Sequence, residues 1–499
     1  VKIKQRTMFI EFSLTLFLIW FISSVARSFM KRRKMPPGPF PLPFIGNVHQ
    51  LGSNPPFTMD EIRKKYGDVF TITTPIGDVV VVNSGALARE VMIAKKDDFA
   101  GRPLYFPAYE LLENKDLIAG DYGPLFQFRR KVMLSALHMF GEGVQSAEER
   151  VNTEVDWLLK KIEDTNERQF IPKKLVMATT IRVITNWLFS QKFETKDPIL
   201  QELMDFDEDM LKLNCQCGYY QVLPFLKYFP TDFMKTFASV RAKIDNFFWS
   251  NLKQHQKTYK KGVVRDIMDA LFDSYEKEKT KSPHKDLGTI DDLRFLVVDA
   301  FLGTSDTTSS TISWFLLYMI RYLDVQDKIF KELNEVVGKD RLPCLEDMEN
   351  LPYLRATVCE VMRHSVFAPL SAPHKAIRDS MIEGYHVPKD TIVFLNHWRI
   401  HYDPRDWDEP ALFKPQRFLE ANGNFVGWNT LPAFVPFGFG RRACVGQALA
   451  KVQLFIITSR LLHQYRFEIP DGEPVPPFDG EISAVRYPKE YKLVAKKRF

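Results

Sequence analysis

Cysteine is scarce. The 499 residues include five, Cys215, Cys217, Cys344, Cys359 and Cys444, an odd number without the close, regular spacing of a disulfide framework. That excludes a disulfide-stapled scaffold and indicates a reducing compartment for the folded part. Zinc is poorly served as well. Cys215 and Cys217 stand in CQC with no second Cys or His pair nearby to complete a tetrahedral set. His397 and His401 stand four apart in HWRIH without the intervening acid of a zinc-hydrolase helix. Both pairs read as packing. Charge of one sign is also lacking: 68 Lys and Arg against 62 Asp and Glu leave +6, too little over this length to indicate a nucleic-acid partner. No internal repeat and no low-complexity linker divides the chain, although its length alone would allow two or three domains.

Long apolar runs are confined to the amino end. MFIEFSLTLFLIWFISSVA, residues 8–26, carries Glu11 as its only charge, and Arg27, Lys31, Arg32, Arg33 and Lys34 follow at once. At about 1.5 Å per residue such a helix reaches roughly the ~30 Å of a bilayer core. Lys2, Lys4 and Arg6 with Ser24-Val25-Ala26 leave a cleaved signal peptide as the competing reading. The heavier basic cluster after the run favours a retained single-pass anchor with the body in the cytosol. With no Met at position 1 and Met8 opening the run, residues 1–7 read as additions upstream. MPPGPFPLPFIGN, residues 35–47, cannot continue a helix and reads as a stiff spacer. The expected division is an anchor and basic flank over 1–34, a proline-rich hinge over 35–47 and one body over 48–499.

Within the body, β-branched runs at 69–74 and 79–82 flank PIGD and predict a hairpin, with a helix at 86–94 behind it. Apolar spacing of three and four predicts helices over 126–140, 151–162, 175–189 and 233–252. Another helix opens at a capping box, Thr289 to Asp292, and runs without proline to Tyr322. Its ends are apolar but its middle reads GTSDTTSST, 303–311, where hydroxyls compete for backbone carbonyls. Something at that point must offset the loss.

The sharpest feature is FGFGRRACVG, 437–446. Gly438, Gly440 and Gly446 suit a tight turn. Backbone N–H groups and a following helix N-terminus favour a thiolate at Cys444. Arg442 can meet an anionic group of the same ligand, and Phe437 can shield the sulfur from water. A shielded thiolate with no zinc partner suits a single axial ligand to haem iron.

FGFGRRACVG resembles the cysteine-ligand signature of the cytochrome P-450 family, Phe-Gly-x-Gly-x-Arg-x-Cys-x-Gly, at every fixed position. Two further motifs agree. EVMR puts Glu360 and Arg363 on one helix face, and FKPQRF supplies Arg417; in the family these form a buried charge network that supports the haem side of the fold. GTSDTT, 303–308, resembles the family helix that crosses the distal haem face, which makes Asp306 and Thr307 the expected proton relay. The resemblance implies a mainly α fold, a large helical haem domain with a small β-rich region. It implies haem b (iron protoporphyrin IX) ligated by Cys444, with Phe437 and Gly438 beside it. Its carboxylates would meet Arg442, Arg102 in DFAGRP, Arg130 in YGPLFQFRRK and His374 in APHKA. Two positions depart from the pattern. Thr304 stands where Gly is usual, and Phe126 stands where Trp is usual, so one haem-carboxylate contact should be lost or passed to water.

The anchor, hinge and motif order look like a microsomal enzyme of animal type, on the endoplasmic reticulum membrane. PHKAIRDS and LPAFVPFGFGRRACVG look most like the steroid 17α-hydroxylase/17,20-lyase group and its aromatic-hydrocarbon-oxidising relatives. The implied reaction inserts one oxygen atom of O2 into an apolar substrate, with electrons from NADPH through the flavins of a membrane-bound reductase, and cytochrome b5 as a further partner. Arg129, Lys131 and Arg441 are the expected docking face. Steroid hydroxylation leads, ahead of oxidation of fatty acids or foreign aromatic compounds and of an O2-independent lipid isomerase or dehydratase. Pocket positions would be Ala300, Gly303, Phe367, Leu370 and Ala372, the loop over 102–123, and Asp205, placed by an ungapped count from Asp197-Pro198.

Overall fold

A computed structural model of the chain describes residues 32–499 except 53, 143, 195–196, 282–287 and 482–484, together with scattered positions between 12 and 30. The expected anchor over 8–26 therefore falls largely outside the described residues. Among those described, no helix is long and apolar enough to cross a membrane.

The longer helices are α1 Pro55–Tyr66, α2 Pro124–Glu142, α3 Val144–Glu163, α4 Pro172–Phe189, α5 Pro198–Val222, α6 Asp232–Lys243, α7 Ile267–Thr280, α8 Leu293–Arg321, α9 Leu323–Val336, α10 Pro352–Ser365 and α11 Gln447–Gln464. The strands are β1 Val69–Thr74, β2 Gly77–Val82, β3 His374–Lys375, β4 Ser380–Ile382, β5 Tyr385–Val387, β6 Ile392–Leu395, β7 Tyr465–Glu468, β8 Gly480–Glu481, β9 Tyr487–Pro488 and β10 Val494–Lys497.

The predicted hairpin is present. β1 and β2 pair antiparallel from Val69 opposite Val82 to Thr74 opposite Gly77, so Pro75 and Ile76 form the turn. β2 then pairs parallel with β6, and β3 closes the sheet order β1-β2-β6-β3. Phe70, Ile72, Val79, Val81 and Ile392 form a small core of their own between this sheet and α1. The remaining strands make two-stranded pieces, β4 with β5, β7 with β10 and β8 with β9.

α8 runs through the middle of the helical part. Thr289 and Asp292 form the predicted capping box around a 3₁₀ turn, and the helix then continues for 29 residues, roughly 44 Å at 1.5 Å each. Its apolar ends, among them Phe295, Leu296, Trp314 and Leu317, are buried in the main core, chiefly against α4. The hydroxyls of its middle divide between two uses. Thr307, Thr311 and Ser313 donate to the carbonyls four residues back, at 2.6, 2.8 and 2.7 Å. Ser305 donates to Asp207 of α5, and Ser310 to the carbonyl of Arg486 at 2.8 Å. The lost helix stability is thus met partly by cross-links to neighbouring elements.

Two predicted helices contain wider turns. The 86–94 segment is α-helical over Gly85–Arg89 and π-helical over Glu90–Ala94. The 233–252 segment passes from α6 through a π turn, Ile244–Phe248, into Trp249–Thr258. Widened turns of this kind recur at functional sites, and the first of them packs against the Cys444 loop.

Candidate active site

The loop bearing Cys444 is built by its own backbone. Gly438 N–H donates to Val435 O at 3.2 Å, Ala443 N–H to Gly440 O at 3.2 Å and Cys444 N–H to Phe437 O at 2.9 Å. Gly438 and Gly440 have φ of +63° and +67°, the left-handed region that favours glycine. At Gly440 the space is closed too, since a Cβ would lie 1.8 Å from the carbonyl oxygen of Met92, in the π-helical turn.

Cys444 sits just before α11, whose N-cap is Gly446. Its side chain is exposed, yet burial pushes the thiol up. Backbone N–H groups of Gly446 and Gln447 and the guanidinium of Arg130 pull it the other way. Arg130, from α2, is fixed beside it by a 2.8 Å bond to the carbonyl of Ala443. Phe437 packs at a tilt against Trp428, with ring centroids 6.0 Å apart, and Lys451 lies 5.8 Å over its ring.

The predicted cations converge. Arg442 donates to the carbonyls of Ala100 at 2.7 Å, Leu117 at 3.3 Å and Gly120 at 2.8 Å. Arg102 donates to those of Ile118 at 3.0 Å, Ala372 at 3.2 Å and Pro373 at 2.9 Å. Burial brings Arg102 down to about 10 and Arg442 down to about 9, and the charge of Arg102 adds to the depression at Arg442. The repulsion between the buried Arg102 and the half-buried Arg442 favours an anionic group beside them. His374 is differently employed from the expectation. It is buried, and its Nδ1 accepts from Arg102 at 3.2 Å. Burial and both arginines push its pKa well down, so the ring is neutral and holds Arg102 in place. Phe126 lies under Arg442, ring centroid 3.8 Å from the guanidinium. The missing indole N–H is thus replaced by a face on which the cation stacks.

The distal side comes from α8. Gly303 is exposed, and a Cβ built there would meet nothing within 4 Å. Thr307, one turn on, is half-buried, with its hydroxyl on the Gly303 carbonyl. Asp306 is buried; its carboxyl Oδ1 accepts from Tyr487 at 3.2 Å. Burial pushes Asp306 well above the usual carboxylate range, and the neighbouring Asp207 pushes it the same way. The loop over 114–121 links the two sides, for Leu117 N–H donates to Asp299 of α8 while Leu117 O receives Arg442.

The charge network is present. Arg363 donates to Glu360 at 2.7 and 2.8 Å, and Arg417 approaches the same carboxylate at 3.4 Å. Arg363 also donates to the carbonyl of His401 at 2.7 Å, and His401 Nε2 accepts from Val435 N–H at 3.0 Å. The network therefore reaches the Cys444 loop through two bonds. His397 donates through Nδ1 to Ala368 O at 3.2 Å, so each ring of the HWRIH pair has a packing role. Among the described residues no cluster of His, Cys, Asp and Glu is placed to hold a metal ion.

Several expected positions lie elsewhere. Asp205 is exposed, and its carboxylate accepts from Gln201 of its own helix at 2.8 Å. Arg129 is buried and donates to Asn114 O at 3.2 Å, which removes it from a docking face. Lys131 and Arg441 are at the surface, paired with Glu278 and Asp97. Of the pocket positions, Gly303 and Ala372 are exposed and Ala300 half-buried. Phe367 is buried in the main core, and Leu370 packs against the sheet cluster. Sequence reading missed Asp207, Asp299 and Asp116, three buried acids around α8, because none lies in a motif.

With this geometry the chain belongs to the cytochrome P450 family, whose model matches residues 36–495. It is similar to cytochrome P450 1A1 of Sparus aurata, 33% identical over 449 residues, 88% of this chain and 86% of the relative. It is equally similar to the steroid 17-alpha-hydroxylase/17,20 lyase of Ictalurus punctatus, 33% identical over 476 residues, 94% of this chain and 92% of the relative. The cytochrome P450 1A1 of Opsanus tau is 31% identical over 449 residues, with 88% and 86% covered. The chain is a monooxygenase of this family and uses haem b with NADPH-derived electrons delivered through a reductase. The accessible Cys444, the open space at Gly303 and the neighbouring guanidiniums of Arg102 and Arg442 fit that cofactor.

Proposed function

We propose that Cys444 is the axial haem ligand, that Arg102, Arg442 and Arg130 hold the haem carboxylates, and that the substrate is a steroid, hydroxylated at a C–H bond. The observation that carries the reading is Cys444 itself, accessible and with the first amides of α11 and Arg130 beside it.

Haem, when bound, supplies the dioxygen chemistry. The residues around it supply charge and protons. The amides of Gly446 and Gln447 direct N–H dipoles at the sulfur and favour its anionic form. Arg102 and Arg442 gain from an anion in proportion to their mutual repulsion without one. His374 orients Arg102, with Phe437 and Gly438 shaping the loop beside the sulfur. On the distal side burial favours the protonated form of Asp306, and the neighbouring Thr307 hydroxyl turns from the Gly303 carbonyl to pass its proton. Glu360, Arg363 and Arg417 hold the Cys444 loop in register from behind.

The steroid reading is supported by the activity for which the Ictalurus relative is named and by the retained Asp306-Thr307 pair, which a lipid isomerase or dehydratase does not need. Fatty acids and foreign aromatic compounds are the alternative substrates. Exposed Phe40, Leu42, Phe44, Ile45 and Val48 in and beside the proline-rich segment support contact with lipid, in keeping with an endoplasmic reticulum anchor over 1–34, a hinge over 35–47 and a cytosolic catalytic domain over 48–499. Lys131 and Arg441 remain for NADPH-cytochrome P-450 reductase and cytochrome b5.

The deciding experiment is the dithionite-reduced, carbon monoxide difference spectrum of wild type and Cys444→Ser. Wild type should show the strongly red-shifted Soret band of thiolate ligation, and the variant should lose it. A wild-type band without that shift would sink the assignment. Soret shifts on titration with a steroid, a fatty acid and a planar aromatic then choose among the substrate classes.

A further inference from the structure

Asp207 and Asp306 meet in the protein interior from different helices. Asp207, on α5, is completely buried. Its Oδ1 accepts the hydroxyl of Ser305. Its Oδ2 is buried and has no donor among the ordinary hydrogen-bonding groups around it. The group within hydrogen-bond reach is the carboxyl of Asp306, on α8. Two ionised carboxylates cannot supply a hydrogen bond to each other, and in a buried place they repel strongly. A single proton between them removes the repulsion and gives Oδ2 its missing partner.

The surroundings hold the pair in this state. Tyr487, on β9, places its hydroxyl 3.0 Å from the carbonyl of Asp306, 3.2 Å from its Oδ1 and 2.7 Å from Ser309 Oγ. From α4, Lys173 lies 5.1 Å over the Tyr487 ring, and its charge favours ionisation of Asp306. From α5, Glu208 opposes ionisation of Asp207. Thr180 of α4 donates to the backbone carbonyl of Ser305 at 3.3 Å, fixing α8 where the two acids face each other. Burial pushes both carboxyls up, ahead of every other influence.

We propose that Asp207 and Asp306 form one carboxyl pair holding a single proton, with Asp207 as the positioning residue that keeps the relay acid loaded and turned. The proposal rests on the reading of Asp306 as the acid beside Thr307. The balance is one proton out and one in. Donation through Asp306 leaves two facing carboxylates, the arrangement of highest repulsion, and a proton from solvent water restores the pair before the next turnover.

The test uses the full-length, haem-loaded protein and its infrared spectrum in H2O and D2O at pH 7. The difference between wild type and Asp207→Asn should show the displacement of one protonated-carboxyl C=O band that shifts in D2O, because Asp306 stays buried and protonated but now faces an amide in place of a carboxylate. Asp306→Asn should displace the same band in turn, for the proton then stays on the buried Asp207. As a second readout, the thermal midpoint of wild type should fall as pH rises above the ordinary carboxylate range, with this slope reduced in both variants. A band unmoved in Asp207→Asn, or a second protonated-carboxyl band lost in either variant, would overturn the proposal. So would a pH slope unchanged by either substitution. The ferrous carbon monoxide spectrum of the same samples should stay red-shifted in both variants, and it tests the Cys444 assignment separately.

Discussion

Glu360 and Arg363 are joined by two charge-assisted hydrogen bonds of 2.7 and 2.8 Å, and neither side chain has any exposed surface. Both belong to α10, three residues apart, so the pairing is local. What makes it consequential is the burial of both charges and the chain of bonds onward to His401 and Val435.

Removing one partner leaves the other charge buried alone. Glu360→Ala should therefore cost about 3–5 kcal/mol of unfolding free energy, measured by denaturant titration. Arg417→Ala should cost less, because its contact with Glu360 is longer, at 3.4 Å, and its bonds to the carbonyls of Asp408 and Glu409 are exposed, where water can replace them. Equal losses would contradict a graded network.

The glycines of the Cys444 loop should rank by the space around them. Gly438→Ala meets only the cost of positive φ, on the order of 1–3 kcal/mol. Gly440→Ala adds a collision with the Met92 carbonyl, which cannot retreat without moving the π-helical turn. Thermal midpoints should therefore fall further for Gly440→Ala, and haem retention should follow the same order.

At Arg442 stacking and hydrogen bonding act together. Arg442→Lys keeps a positive charge but loses the planar fork that reaches Ala100, Leu117 and Gly120 and the face that lies on Phe126. It should lower the haem-to-protein ratio of purified enzyme. Phe126→Trp restores an N–H donor and should leave that ratio equal or raise it.

Thr307→Ala removes the hydroxyl without disturbing Asp306. Product formation should fall by roughly 10², with peroxide released in its place while NADPH consumption continues. Normal coupling of electrons to product in this variant would remove Thr307 from the relay.

The pH dependence of stability should have two edges. Burial lowers His364 and His397 to about 4, so the unfolded chain binds protons that the folded one refuses. Stability is lost as pH falls from the ordinary histidine range toward 4. Asp299, like Asp306, is raised well above the usual range by burial. The folded chain then binds the extra protons, and stability falls as pH rises through the shifted values. Thermal midpoints measured across pH should pass through a maximum, and His397→Phe should soften the acid edge.

The parts legible in the sequence are those whose meaning is local. The β1–β2 turn, the capping box at Thr289, the tight loop around Cys444 and the Glu360–Arg363 pair depend on residues within one turn of each other. Backbone geometry leaves such stretches few alternatives. The hydroxyl-rich middle of α8 was readable as a departure, since a polar patch in an apolar helix requires a reason, but its partners were not.

Where neighbouring residues face different ways, sequence position misled. Asp205 and Asp207 lie two residues apart on a helix, so their side chains differ by about 200° in direction. One meets solvent and the other meets Asp306. Arg129 and Arg130 differ by about 100°, and α2 buries the first against Asn114 while turning the second toward Cys444. By itself the sequence determined the family, the cysteine loop and the order of the helices, because these are written in short-range spacing. Only the tertiary structure decided which acids share a proton, which arginines crowd each other and which candidates lie at the surface. Those properties arise from burial and from contacts between distant segments, which no local pattern encodes.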